Sequence, residues 1–406
     1  MKGATASDIR PARRLPGRNW LLRASLVLLL AGVVQVGAAG PASAHAVGGG
    51  PAASNYRTNV RGIEPPIPGV SVRVVDGGNQ LELTNRGAQE VTILGYENEP
   101  YLRVGPGVFQ NERSPSTFSN RSIRTPKQIP AEFSADAPPD WRRISSQPVA
   151  VFHDHRAHWS GADPPAVKRA RGTRQVVTPE WQLPVRVGDK TSILSGNIEW
   201  VPGPSPWPWA AVIVALAALV LLVSRGGWQA KVLAVVTALA VVTDAVHTFG
   251  VWTGSTAPIL TELYGSATSF AGWVIAAIAI QRLLTGNLEA GRTFMLLAAI
   301  FLALAGAAPD VPALARSQLP SGLDPVLTRA AISATLGLGG GMLLAALLGG
   351  QLSGPRLAPA AASGKRTRPV GAMPRGGGAG GSGGTGQAGA RGQGGSRKRS
   401  RKSGGG

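Results

Sequence analysis

The chain has 406 residues, 44% of them hydrophobic and only 15% charged, with a formal net charge of +20 and no cysteine. Without cysteine there is no disulfide, no thiolate metal site, no cysteine nucleophile and no lipid anchor on cysteine. The positive charge sits at the ends: residues 1–44 carry six Arg or Lys against one acid, residues 351–406 carry eleven against none, and 45–350 holds 24 bases and 20 acids. That distribution argues against a nucleic-acid-binding domain, whose basic excess would lie on a folded face.

At the amino terminus, Arg10, Arg13, Arg14 and Arg18 precede the apolar run Ser25–Ala39 and the small-x-small triplet Ala42-Ser43-Ala44. This is the pattern of an export signal over 1–44, cleaved after Ala44 to leave His45 as the first residue. The alternative is an uncleaved anchor helix over Trp20–Ala39.

Residues 45–206 read as an extracytoplasmic β domain. Val70, Val72 and Val74 alternate with polar residues, as do Leu81 and Leu83, and Asp76-Gly77-Gly78-Asn79 between them is a hairpin turn. Further strands are expected at Glu90–Gly95, Tyr101–Val104, Val149–His153, Arg174–Thr178, Gln182–Val187 and Ser192–Val201. Short strands separated by Pro and Gly predict an all-β, Ig-like antiparallel β-sandwich. The polar, Pro-rich stretch Asn111–Trp141 reads as a surface loop or lid.

Five apolar stretches follow and define a helical membrane domain over 207–350: Trp207–Val223, Val232–Trp252, Leu263–Ile280, Thr293–Ala307 (the shortest) and Ala330–Leu348. Basic residues flank the first link (Arg225, Lys231) and the third (Arg282, Arg292), whereas the second link, Thr253–Glu262, has none. The positive-inside rule then puts 45–206 outside and the carboxyl terminus in the cytoplasm of a multi-pass cell-membrane protein. Residues 351–406 form a Gly-rich, basic tail, expected to be disordered and drawn to anionic lipid headgroups. The run Gly337–Gly341 lies inside an apolar span, so close helix packing explains it better than a dinucleotide loop.

The five histidines carry the chemical signal. His45 at a free amino terminus offers an amine and an imidazole that together chelate one metal, a donor set that favours Cu(II). His153, His155 and His158 lie in Phe152-His153-Asp154-His155-Arg156-Ala157-His158-Trp159, and His153 and His155 share a face if the segment is a strand. Together these make a copper or zinc site possible. The competing reading is a buried hydrogen-bonded network, with Asp154 paired to Arg156 or Arg143. Asp244 and His247 lie one turn apart on the second membrane helix, where ionisable groups pair between helices or form a relay. No Ser-His-Asp set is identifiable, and no catalytic residue is assigned.

The Ala-Ser-Ala cleavage site, His45-Ala46, the β-sandwich and the multi-helix membrane part together resemble copper-resistance proteins of the CopC/CopD type. The resemblance implies that the amino-terminal histidine is a copper ligand and that the membrane part carries copper. Where that family has Asp-Gly-His before its last strand, this chain has Gly188-Asp189-Lys190, so His153 and His155 would stand in for the missing ligand. The stretches His153–Trp159 and Glu97–Val104 also resemble an actinobacterial membrane family with an exported amino-terminal domain. The function expected is extracytoplasmic copper (or other divalent metal) binding and handling at the membrane. The alternative is a non-catalytic envelope protein with a structural histidine cluster.

Overall fold

The structure, a computed structural model, describes residues 52–121, 126, 128–225 and 228–348. The expected export signal, His45 and the basic tail 351–406 lie outside the described residues.

Ten antiparallel strands come first: β1 (Tyr56–Glu64), β2 (Val70–Val75), β3 (Gln80–Asn85), β4 (Val91–Leu94), β5 (Pro100–Val104), β6 (Val108–Asn111), β7 (Trp141–Ser145), β8 (Val149–Phe152), β9 (Gln175–Val187) and β10 (Lys190–Trp200). Seven form one sheet in the order β1-β10-β9-β4-β5-β6-β7, and three form another, β2-β3-β8. The β2–β3 hairpin has the expected register, Val72 opposite Leu83 and Val74 opposite Leu81. Leu81, Leu83 and Phe152 of the smaller sheet join Ile93, Leu102, Leu183, Val185 and Leu194 of the larger in a single buried core. Period-two alternation is the cause, since it turns every second side chain toward that core.

The structure corrects three sequence expectations here. The two strands read at Arg174–Thr178 and Gln182–Val187 are one strand, β9, which runs straight through Pro179 and Pro184. Strand β1 alternates with Arg57, Asn59 and Arg61 and so has a weak apolar signal, yet it closes the edge of the sheet beside β10. The expected loop over Asn111–Trp141 contains a short helix, α1 (Pro115–Ser119), whose first turn is capped by the Ser114 side chain.

After a second short helix, α2 (Pro165–Arg169), come α3 (Trp207–Val223), α4 (Gln229–Gly254), α5 (Ile259–Gly265), α6 (Ala267–Leu284), α7 (Leu288–Ala299) and α8 (Pro325–Leu348). Helix α7 continues through wide turns over Ile300–Ala307 and tight turns over Ala308–Ala315. Among the described residues, four helical segments are long and apolar enough to cross a membrane: α4, α6, Leu288–Ala315 and α8. Helix α3, the first expected span, has 17 residues and is shorter. The fourth expected span proves to be 28 residues rather than the shortest stretch, because Pro309, Asp310 and Pro312 interrupt the apolar run without ending the helix. Gly337 and Gly341 of α8 are where α3 comes closest. A Cβ on Gly337 would lie 2.8 Å from the Leu216 side chain, and one on Gly341 would lie 2.5 Å from that of Val220. The glycine-rich run is thus a packing seam.

The β domain sits on the links that precede α5 and α8. Ser54 and Gln318 exchange backbone hydrogen bonds of 3.0 and 2.9 Å. The Ser317 N–H donates to Asn55 Oδ1 at 2.9 Å. Asp76, in the β2–β3 turn, accepts from the Thr256 N–H at 3.0 Å and from its hydroxyl at 2.7 Å.

Candidate metal site and the cavity beside it

Strand β8 ends at Phe152, so His153–His158 is a turn and not the strand that would align alternate residues. The turn still gathers the three histidines. The His153 ring centroid lies 4.7 Å from that of His155 and 5.0 Å from that of His158, both pairs edge to face. Asp154, only 1% exposed, is the pin. It accepts from Arg156 through Nε (2.9 Å), Nη2 (2.8 Å) and the backbone N–H (2.9 Å), and Arg156 reaches on to the carbonyls of Gly95 and Leu94, each at 3.1 Å. The Arg156 guanidinium also stacks over Tyr96, whose hydroxyl accepts from the His155 N–H. Asp154 is thereby committed to Arg156, one of the two partners read from the sequence.

Each imidazole has one nitrogen against a backbone carbonyl: His153 Nδ1 at 2.7 Å from Asn79, His155 Nε2 at 3.1 Å from Ser119 and His158 Nδ1 at 3.4 Å from Gly78. A carbonyl oxygen only accepts, so each ring donates from that nitrogen and its tautomer is fixed. In the neutral rings the opposite nitrogens are bare lone pairs. Two of them, His153 Nε2 and His155 Nδ1, face each other at 3.4 Å. Charging His153 or His158 is unfavourable. Burial pushes His158 down to about 4, with the neighbouring His153 adding to the effect. Burial also lowers His153, against the opposing bond to Asn79.

Among the described residues no group of three or more His, Cys, Asp or Glu donors is assembled to hold a metal ion. The structure brings the rings of His153, His155 and His158 together, short of a three-donor site. His45 lies outside the described residues.

Glu99, in the second motif, is buried and ionised by local donors. Burial alone would raise its pKa. The hydroxyls of Ser114 and Ser116 and the N–H of Glu97 outweigh that and lower it. Its place against Gly95, where a Cβ would lie 1.9 Å from Glu99 Oε1, makes it a fixed strut of the fold.

Asp244 and His247 lie on α4 and are 1% and 5% exposed. Asp244 accepts from Trp273 Nε1 at 2.8 Å, and His247 Nε2 is 2.9 Å from Asp310 Oδ2. Asp310 was not singled out in the sequence. Its only signal there is an acid among apolar residues. His247 and Asp310 also line a cavity of about 370 Å³ between the β domain and the helices, together with Asp76, Gln80 and Glu262.

No protein-family model, curated protein or solved structure matches the chain.

Proposed function

We propose that this is a multi-pass membrane protein whose β domain lies outside the cytoplasm and binds copper, or another late first-row divalent ion, for handling at the membrane. The observation that carries this reading is the pair of inward lone pairs on His153 and His155. Two nitrogens each ~2.0–2.1 Å from one metal stand about 3.4 Å apart in tetrahedral geometry and about 2.9 Å apart in the tetragonal geometry of Cu(II); these stand 3.4 Å apart, so Cu(II) draws the two rings slightly together. The carbonyls of Asn79 and Ser119 act as the outer partners that hold such rings in register and fix the donating tautomer. His158 supplies a third imidazole after a change of ring orientation, and the amine and imidazole of His45 complete the set. Nitrogen donors of this kind favour copper by the affinity order of first-row ions.

The same reading makes the two-sheet domain an Ig-like sandwich and α3 a fifth span. It also puts the basic tail on anionic lipid at the cytoplasmic face. No catalytic role is assigned. The fragmentary likeness to copper-resistance proteins supports it.

The three carbonyl bonds favour a second reading, a non-catalytic envelope protein in which the rings only clamp the Gly78–Asn79 turn and Ser119. Pulsed electron paramagnetic resonance of the copper-loaded full chain separates the two. The metal reading predicts couplings to the remote nitrogens of at least two imidazoles, lost in His153→Ala/His155→Ala. The clamp reading predicts the same spectrum in the parent and the variant.

A further inference from the structure

The cavity between the β domain and the helical bundle has no part in the copper reading and stands independently of it. Its volume, about 370 Å³, falls in the range of small-molecule sites, which favour domain junctions. Much of its wall is apolar, with Val251, Leu319 and Ile332 among the contributors. Its ionisable groups are Asp76, Glu262 and Asp310 with His247, and among the described residues neither Lys nor Arg lines it. The carboxylates are held in place. Asp76 is fixed by both donors of Thr256, Glu262 by the hydroxyl of Ser255, and Asp310 by His247. Asp76 is 5% exposed and adopts a positive φ of 51°, a turn conformation that Asp tolerates better than most residues. Burial raises its pKa, and the charge of Glu262 adds to that rise. A ligand that brings positive charge relieves this repulsion, and an apolar body fills the rest of the space.

We propose that this cavity binds a small organic ammonium ion, with the ammonium against Glu262 and Asp310 and its hydrocarbon part against the apolar wall. A metal ion is disfavoured by the extent of apolar wall, and an anion by the three lining carboxylates. The ligand enters from the β-domain side, where Ala257 and Pro258 form an exposed part of the rim.

The test uses the full chain in lipid nanodiscs and three probes of nearly one shape: phenethylammonium, 2-phenylethanol and 3-phenylpropionate, measured by calorimetry. The expected result is saturable binding of the ammonium at least tenfold tighter than the alcohol, with no binding of the carboxylate. Glu262→Gln and Asp310→Asn should each weaken the ammonium toward the level of the alcohol. Because Asp310 supports His247 and its variant can misfold, Ala257→Trp is the second arm. It changes an exposed rim residue and should block binding while thermal stability is kept. Equal affinity for ammonium and alcohol, no saturable binding of the ammonium, or full binding in Ala257→Trp would each overturn the proposal.

Discussion

His153 Nε2 and His155 Nδ1 face each other at 3.4 Å, each in a ring whose other nitrogen is committed to a backbone carbonyl. Two bare lone pairs at that distance repel. On the proposed copper reading, a bound cation would offset that repulsion. A proton would serve only at the expense of charging a buried ring, and burial already lowers the pKa of His153. On the proposed copper reading, a metal ion set off the line between the two nitrogens would bind both rings in their neutral form.

The turn depends on Arg156. Replacing it with Lys keeps the charge but removes the two-pronged contact with Asp154 and the bonds to Gly95 and Leu94. Asp154 is fully buried at its side chain, so a poorly satisfied carboxylate should cost about 3 kcal/mol or more. Thermal unfolding of Arg156→Lys should therefore fall by several degrees, and metal uptake should fall with it.

The glycine seam between α3 and α8 makes a position-specific prediction. Gly341→Ala places a methyl 2.5 Å from the Val220 Cβ, whereas a Cβ on Gly340 meets nothing within 4 Å. Overpacking should destabilise Gly341→Ala by about 1–3 kcal/mol. Gly340→Ala should be neutral or slightly stabilising, since alanine is the better helix former. Heat denaturation in nanodiscs compares the two directly.

Glu199 gives the β domain an acid limit. Hydrogen bonds from Arg57 and then Arg174 lower its pKa from an ordinary 4.5 to about 2. A carboxylate depressed by folding contributes stability that is complete above its unfolded pKa and is lost as pH falls toward the folded value. That loss spans about pH 4.5 to 2. Both arginines are exposed enough for screening to limit it to roughly 1 kcal/mol. Urea unfolding of the full chain, followed by tryptophan fluorescence, should show this slope, and Glu199→Gln should reduce it, the depressed Glu99 carboxylate keeping part of it.

The Asp76–Thr256 contact ties the β domain to the α4–α5 link. Thr256→Val leaves the N–H bond and deletes the hydroxyl bond to a carboxylate that is 5% exposed, a cost of about 1–3 kcal/mol. Faster hydrogen exchange is expected at Ser54 and Gln318, whose paired backbone amides share that interface. Strands at the far end of the large sheet should be unaffected.

The β2–β3 hairpin, the His153–His158 cluster and the apolar helices were legible because each is a local pattern: a period of two, a spacing, a run. What stayed hidden depends on partners far along the chain. Asp310 reads as one acid in a link until His247, 63 residues earlier, is found beside it. Asp76 reads as a turn residue until Thr256, 180 residues later, supplies its donors. The strand assumption that placed His153 and His155 on one face failed, yet the rings meet, because the Asp154–Arg156 pair closes the turn that the spacing alone left open.

The most direct test of the copper reading is a competition titration of Cu(II) into the full chain, with the mature amino terminus checked by mass spectrometry. It should be run beside His153→Ala/His155→Ala and His45→Ala. Tight binding in the parent, weakened roughly 100-fold or more in the double variant and less in His45→Ala, is the predicted result. Equal dissociation constants in the parent and a folded double variant would contradict it.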